Sequence, residues 1–385
     1  MTPQARAQAA IDILDEVIAA ARDAGAAADV IVQRYFKTRR YAGSKDRRAV
    51  RDLVYAAIRR AGERPDGGRA ALVGLAGDQP DVAALFDGST HAPAPIVEGE
   101  SRAAAGQAPG WLGGRLDGFG LSERAPLDLR VNRLKAGRDE VRIEGAVPTP
   151  HAPDGLRVPE GTQVEHLPAW EAGLIEVQDE GSQLVTLACR AAPGMTVVDL
   201  CAGAGGKTLG LAAAMEGRGR IIACDADRPR LSRLAPRAER AGVTIVETRL
   251  LDGGRESAAL LDLVDAADLV VVDAPCSGTG TWRRNPEARW RLTPARIERL
   301  VTLQAHLLDV AAALVRPGGT LIHIVCSLLD EEGAGQASAF LARHPGWEAR
   351  PITLPAGEPH GLGHRLTPAK DGTDGFFVAA LVRSC

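Results

Sequence analysis

The stretch Thr196–Thr208, TVVDLCAGAGGKT, decides the fold. An apolar run closes on Asp199, glycines stand at Gly203, Gly205 and Gly206, and Gly206–Met215, with Lys207 at its start, reads as a helix. This is a strand, a tight loop and a helix start. The glycines let the backbone turn and approach a ligand, and the free N–H groups of the helix start favour an anion or a polar tail. Outward from this point, RIIACD (Arg220–Asp225), VTIVET (Val243–Thr248), DLVVVD (Asp268–Asp273) and GTLIHIVCS (Gly319–Ser327) read as strands. Helical runs Pro229–Ala241 and Pro294–Val315 lie between them. Continuous apolar strands separated by helices predict an α/β fold with a parallel sheet covered on both faces. Ligands of such sheets bind beyond the carboxyl ends of the strands. Asp199–Lys207, Asp225, Asp273–Gly280 and Cys326 all fall there.

The glycine loop has two readings. GAGGKT beside a strand ending in Asp273 resembles a phosphate-binding loop with its acidic partner, which would make an NTPase. That motif needs glycine five residues before Gly206, and Cys201 stands there, so the loop is too short to wrap a triphosphate. An adenosine-type ligand without phosphates, such as S-adenosylmethionine, suits it better. The expected contacts are the loop Cys201, Ala202, Gly203, Ala204, Gly205, Gly206 and Lys207, with Asp225 on the ribose hydroxyls, Asp252 on the adenine, and Asp273.

The 385 residues imply two or three domains, and 45% hydrophobic with 25% charged residues is the composition of a globular chain. We expect an all-α domain at 1–83, a Pro/Gly/Ser/Ala-rich linker at 84–110, a small α+β module at 111–170 and the α/β domain at 171–385. Net charge is −3 and aromatics make up 4%, which together speak against a generic polyanion binder. The average hides a distribution: Arg34–Arg60 carries ten basic residues against Asp46 and Asp52. A second cluster, Arg283, Arg284, Arg289 and Arg291, could hold phosphates, with Trp282 and Trp290 stacking on a base. The competing reading is a solvated helix start with two packed indoles. The six cysteines contain no C-x-x-C pair, so neither a disulfide framework nor a metal site is expected. No run reaches the length of a membrane span, and a cytoplasmic monomer is expected.

DAPCSGTG (Asp273–Gly280) and IVCSLLDEE (Ile324–Glu332) each place a cysteine just past a buried strand. With VQDEGSQLV (Val177–Val185), DLCAGAGGKT, RRNPEARW (Arg283–Trp290) and DGTDGFFVAAL (Asp371–Leu381), the chain resembles the RsmB/Sun (NSUN) family of RNA 5-cytosine methyltransferases. LRVNRLK (Leu129–Lys135) is similar to the motif of the small module before the catalytic domain. KDRRAVRDLVYAAIRR (Lys45–Arg60) resembles the NusB-like RNA-binding domain of bacterial members. The resemblance implies a Rossmann-like class I methyltransferase domain with a mixed, mainly parallel seven-stranded sheet, S-adenosylmethionine as cofactor, and rRNA as partner, 16S in preference to tRNA. It also implies that Cys326 is the nucleophile, that Cys276 resolves the covalent adduct, that Asp273 bonds the pyrimidine edge and that Lys207 favours the thiolate. Chemistry alone leaves the order of the cysteines open, because a Pro-Cys pair like Pro275–Cys276 is the nucleophile motif of DNA 5-cytosine enzymes. Ala204 and Val325 depart from the family's usual Pro and Thr, the latter removing a hydroxyl beside the nucleophile. A non-catalytic RNA-binding assembly factor on the same fold is the alternative from another class.

Overall fold

Ile11, Leu14, Val17 and Ile18 recur at helical spacing and lie on the buried face of a helix, Pro3–Arg22, whose first turn is capped by the Thr2 hydroxyl accepting from the Ala5 N–H at 3.1 Å. Helices Ala28–Lys37, Ser44–Arg60 and Gly68–Asp78 follow. Ile31, Val54, Ile58 and Leu72 fill the core with them. At Gly68 a Cβ would stand 2.2 Å from the Ile11 carbonyl oxygen, so only glycine lets this helix start so close to the first. The computed structural model describes residues 1–23 and 25–385. These form two compact units, Met1–Arg124 with Thr281–Pro294, and Ala125–Gly280 with Ala295–Cys385.

Within the first unit, the segment expected as a linker at 84–110 is held down by arginines. Arg60 donates to the Ala103 carbonyl, Arg69 to those of Ala94 and Pro95, and Ala105 bridges Ala61. Its Pro/Gly composition prevents regular structure, so its carbonyls are met by side chains instead. The segment Thr281–Pro294, expected inside the α/β domain, belongs to this unit, where the Trp290 ring joins the helical core.

The second unit contains two sheets. The smaller is built from β1 (Leu127–Val131), β2 (Val147–Pro148), β3 (Gly155–Val158) and β4 (Ile175–Val177) in the order β2-β3-β1-β4. Val141, just after the short helical turn Arg138–Glu140, and Val164, in the turn Val164–His166, pack into the core of this smaller sheet.

The larger sheet holds β5 (Thr196–Asp199), β6 (Arg220–Asp225), β7 (Val246–Leu250), β8 (Ala267–Asp273), β9 (Val315–Val325), β10 (Trp347–Arg350), β11 (Glu358–His360), β12 (Gly363–Leu366) and β13 (Phe376–Arg383). Strands β7, β6, β5, β8 and β9 run parallel in that order, β13 pairs antiparallel with β9, and β10 pairs antiparallel with β13. These seven form the Rossmann-like sheet, and the β11–β12 hairpin extends it beside β13 to nine strands. Leu269, Val270, Val271 and Val272 on β8 are buried on both faces, each worth about 1.5–3 kcal/mol. The helix read over Pro229–Ala241 is two, Arg228–Leu231 and Leu234–Ala241. Among the described residues no helix is long and apolar enough to cross a membrane.

Candidate active site

Four parallel strands deliver the predicted residues to one edge of the sheet. Asp199 ends β5, Asp225 ends β6, Asp273 ends β8, and Cys326 directly follows β9. Asp252 lies exposed two residues past the end of β7.

The loop after β5 is shaped by two left-handed glycines, Gly203 at φ +55 and Gly205 at φ +85. A Cβ on Gly205 would stand 2.0 Å from Leu234 Cδ1. The loop is braced from outside: Arg237 donates to the Ala204 carbonyl at 2.6 Å and to Glu176 at 2.8 Å, and the buried Arg130 donates to the Gly206 carbonyl at 2.8 Å. Burial pushes the pKa of Arg130 down to about 10. The Asp225 carboxylate accepts the Gly203 N–H and the Asp227 N–H, both at 2.7 Å, one on each oxygen. Each oxygen retains lone-pair capacity for a ligand hydroxyl. Behind the loop, Asp199 is wholly buried, accepts the Thr208 hydroxyl at 2.7 Å, and is pushed by burial up to about 7.

Lys207, at the helix start, donates to Asp273 Oδ2 at 2.7 Å. Burial works against its charge, but the Asp273 carboxylate more than compensates and raises its pKa. The Cys276 and Cys326 sulfurs are 3.4 Å apart. The hydrogen bond with Cys326, followed by burial, pushes the Cys276 thiol well above its ordinary range. Cys189 and Cys224 are buried in the apolar core. Val325, where the family usually has Thr, is wholly buried in the apolar core.

Side chains that the sequence did not single out tie these loops together. Glu332 accepts from Ser277, Ser327 and Gln304. Thr279 Oγ1 lies 3.1 Å from Ser327 Oγ. Gly280 and Gly375 touch backbone to backbone, the Gly375 N–H donating to the Gly280 carbonyl at 2.8 Å. Other motif residues have structural work: Asn132 bonds the Gly173 and Ala241 carbonyls, and Asp179 caps the helix Glu180–Ala188.

The arginine cluster expected to hold phosphates is largely internal to the first unit. Arg289 is wholly buried and donates to the Pro286 and Gln107 carbonyls at 2.8 and 2.7 Å, and Arg283 is also buried. Arg291 donates to the Gly25 and Ala26 carbonyls. Trp282 is wholly buried, and Trp290 donates its indole N–H to the Ala61 carbonyl at 3.0 Å. Neither ring offers a face for stacking. In Arg34–Arg60, by contrast, Lys37, Arg40, Lys45, Arg48 and Arg51 are exposed.

Residues 186–382 match the profile of the 16S rRNA methyltransferase RsmB/F family. The chain belongs to this family. Among RsmB/F relatives, it is 36% identical over 276 residues to the "Probable ribosomal RNA small subunit methyltransferase B" of Synechocystis sp., covering 69% of this chain and 61% of that protein. It is 34% identical over 293 residues to the ribosomal RNA small subunit methyltransferase B of Salmonella arizonae, covering 71% and 66%. The matched regions thus span about three fifths to two thirds of these curated RsmB/F relatives. The crystal structure of PH0851 superposes with a TM-score of 0.79 at 26% identity, over 97% of this chain and 98% of that one. A methyltransferase homolog protein from Pyrococcus horikoshii superposes at 0.58 and 27% identity, over 68% and 88%.

Proposed function

We propose that this chain transfers a methyl group from S-adenosylmethionine to carbon 5 of a cytosine in small-subunit (16S) ribosomal RNA, through a covalent adduct on Cys326. The observation that carries this is the pair of thiols 3.4 Å apart at the sheet's carboxyl edge, beside the Lys207–Asp273 ion pair. The names of the curated relatives support the rRNA substrate.

Gly203, Gly205 and Gly206 would hold the cofactor against the loop backbone, Asp225 would take its ribose hydroxyls and Asp252 its adenine. The fit rests on the glycine loop, which has no side chain at these three positions, and on the spare lone pairs of Asp225. Bound there, S-adenosylmethionine supplies an electrophilic methyl group. Carbon 5 of cytosine is a weak nucleophile and must be activated. The Cys326 thiolate adds to carbon 6, forming an S–C bond and pushing the 5,6 π electrons into the ring system, so that carbon 5 becomes enamine-like. Asp273, held by Lys207, accepts from the exocyclic amino group and orients the ring. Once carbon 5 carries the methyl group, its hydrogen leaves as a proton, the S–C bond breaks, its electron pair returns to Cys326 and the double bond is restored. Cys276, against Cys326, assists this resolution.

The target cytosine must be unstacked to enter the site. Lys37, Arg40, Lys45, Arg48 and Arg51 would contact phosphates, which makes binding salt-sensitive. The protein would act in the cytoplasm as a monomer. Bisulfite sequencing of total RNA from cells with and without the gene tests the proposal: one small-subunit cytosine should lose its methyl group, and no change at any cytosine would overturn it.

A further inference from the structure

Glu332 is wholly buried, and its carboxylate accepts from four donors. Oε1 takes the Ser277 N–H at 2.8 Å and the Gln304 amide at 3.1 Å. Oε2 takes the Ser327 hydroxyl at 2.6 Å and the Ser277 hydroxyl. Ser277 directly follows Cys276, and Ser327 directly follows Cys326. Two more bonds fix the frame: His323 Nε2 lies 2.9 Å from the Glu332 carbonyl oxygen, and the Gly280 N–H donates to the Cys326 carbonyl at 3.1 Å. Burial pushes His323 down to about 4, so the ring is neutral and donates one N–H to that carbonyl. A buried carboxylate is tolerated only when so many donors surround it.

We propose that Glu332 is the positioning residue of the cysteine pair: its carboxylate ties the residue after Cys276 to the residue after Cys326, so holding the sulfurs in contact, and places its charge beside Cys276. This rests on the proposed adduct chemistry, in which one thiol attacks and the other handles protons. Among the described residues, the titratable groups acting on Cys276 include Cys326, which follows β9, and Glu332 on the following loop, while the Lys207 of the Lys207–Asp273 pair acts on Cys326. The charge of Glu332 adds to the upward push on Cys276, while Lys207 interacts with Cys326. Glu332 thereby supplies an asymmetry between two thiols whose order the chemistry of the sequence left open.

The test uses the full chain and reads thiol chemistry apart from methyl transfer. Wild type and Glu332→Gln are alkylated with iodoacetamide across a pH series, and each cysteine is followed by peptide mass spectrometry. In wild type the Cys276 midpoint should lie above that of free cysteine, and in Glu332→Gln it should fall by about one unit. Glu332→Asp keeps the charge but shortens the reach, so its midpoint should fall by less than that of Glu332→Gln. Both variants should lose about tenfold or more in kcat with the KM for RNA unchanged. A wild-type Cys276 midpoint equal to that of free cysteine overturns the proposal whether or not the variants fold. So does a folded Glu332→Gln with an unchanged midpoint. If wild type methylates no RNA, the adduct reading fails while the alkylation series still decides the role of Glu332.

Discussion

The sulfurs of Cys276 and Cys326 are in contact at 3.4 Å, carried past the ends of two parallel strands, β8 and β9, that are hydrogen-bonded neighbours. Because both strands are anchored in the core, either sulfur can be deleted without unfolding the sheet. Cys326→Ala should lower methyl transfer by about a thousandfold or more while leaving thermal unfolding within a few degrees of wild type. Cys276→Ala should instead accumulate a protein–RNA adduct that survives a denaturing gel. Exchanged phenotypes would reverse the two roles.

Gly205 combines φ +85 with a hypothetical Cβ 2.0 Å from the buried Leu234 side chain. Gly205→Ala therefore meets backbone strain and overpacking together, and should cost about 1–3 kcal/mol in urea unfolding. Cofactor affinity, measured by calorimetry, should fall with it. Gly253 has open space around its position and no left-handed φ, so Gly253→Ala should stay within about 0.5 kcal/mol of wild type.

Asp199 is pushed up to about 7 by burial, far above the 3.8 of an ordinary aspartate. Between these values the folded state holds a proton that the unfolded state releases, so this group's contribution to stability falls as pH rises from about 4 to about 7. His323 has the opposite sign: pushed down to about 4, it contributes stability that increases as pH rises from about 4 to about 6.5. The two tendencies offset each other in wild type. Asp199→Asn removes one of them, so its stability relative to wild type should increase by up to about 4 kcal/mol between pH 4 and pH 7. Paired urea titrations measure this, and a difference that does not change with pH would mean Asp199 is ionised in the fold throughout that range.

The parallel strands, the glycine loop and the placement of Asp225, Asp273 and both cysteines were legible because each is a local pattern: an apolar run, a turn, a residue just past the run. Glu332 was not, since an acid in a Leu-Asp-Glu-Glu run looks like any solvated loop, and its role exists only where Ser277, 55 residues away, meets it. The arginines after Thr281 misled for a similar reason. A guanidinium meant for phosphates and one meant for buried carbonyls are identical in sequence, and the partners of Arg289 lie at Pro286 and Gln107.

That difference can be measured. Arg289 is wholly buried, bonds two backbone carbonyls and stands 5.4 Å from the Trp282 ring centre, and burial pushes its pKa down to about 10. Arg289→Ala removes the donors, strands the carbonyls and opens a cavity, so it should destabilise the first unit by about 3 kcal/mol or more. Exposed Arg48 has none of these partners, and Arg48→Ala should leave stability within about 0.5 kcal/mol. RNA binding should separate them the other way: Arg48→Ala should reduce the slope of log affinity against log salt by about one phosphate contact. An Arg289→Ala protein that kept its stability and lost that slope would return Arg289 to the RNA surface.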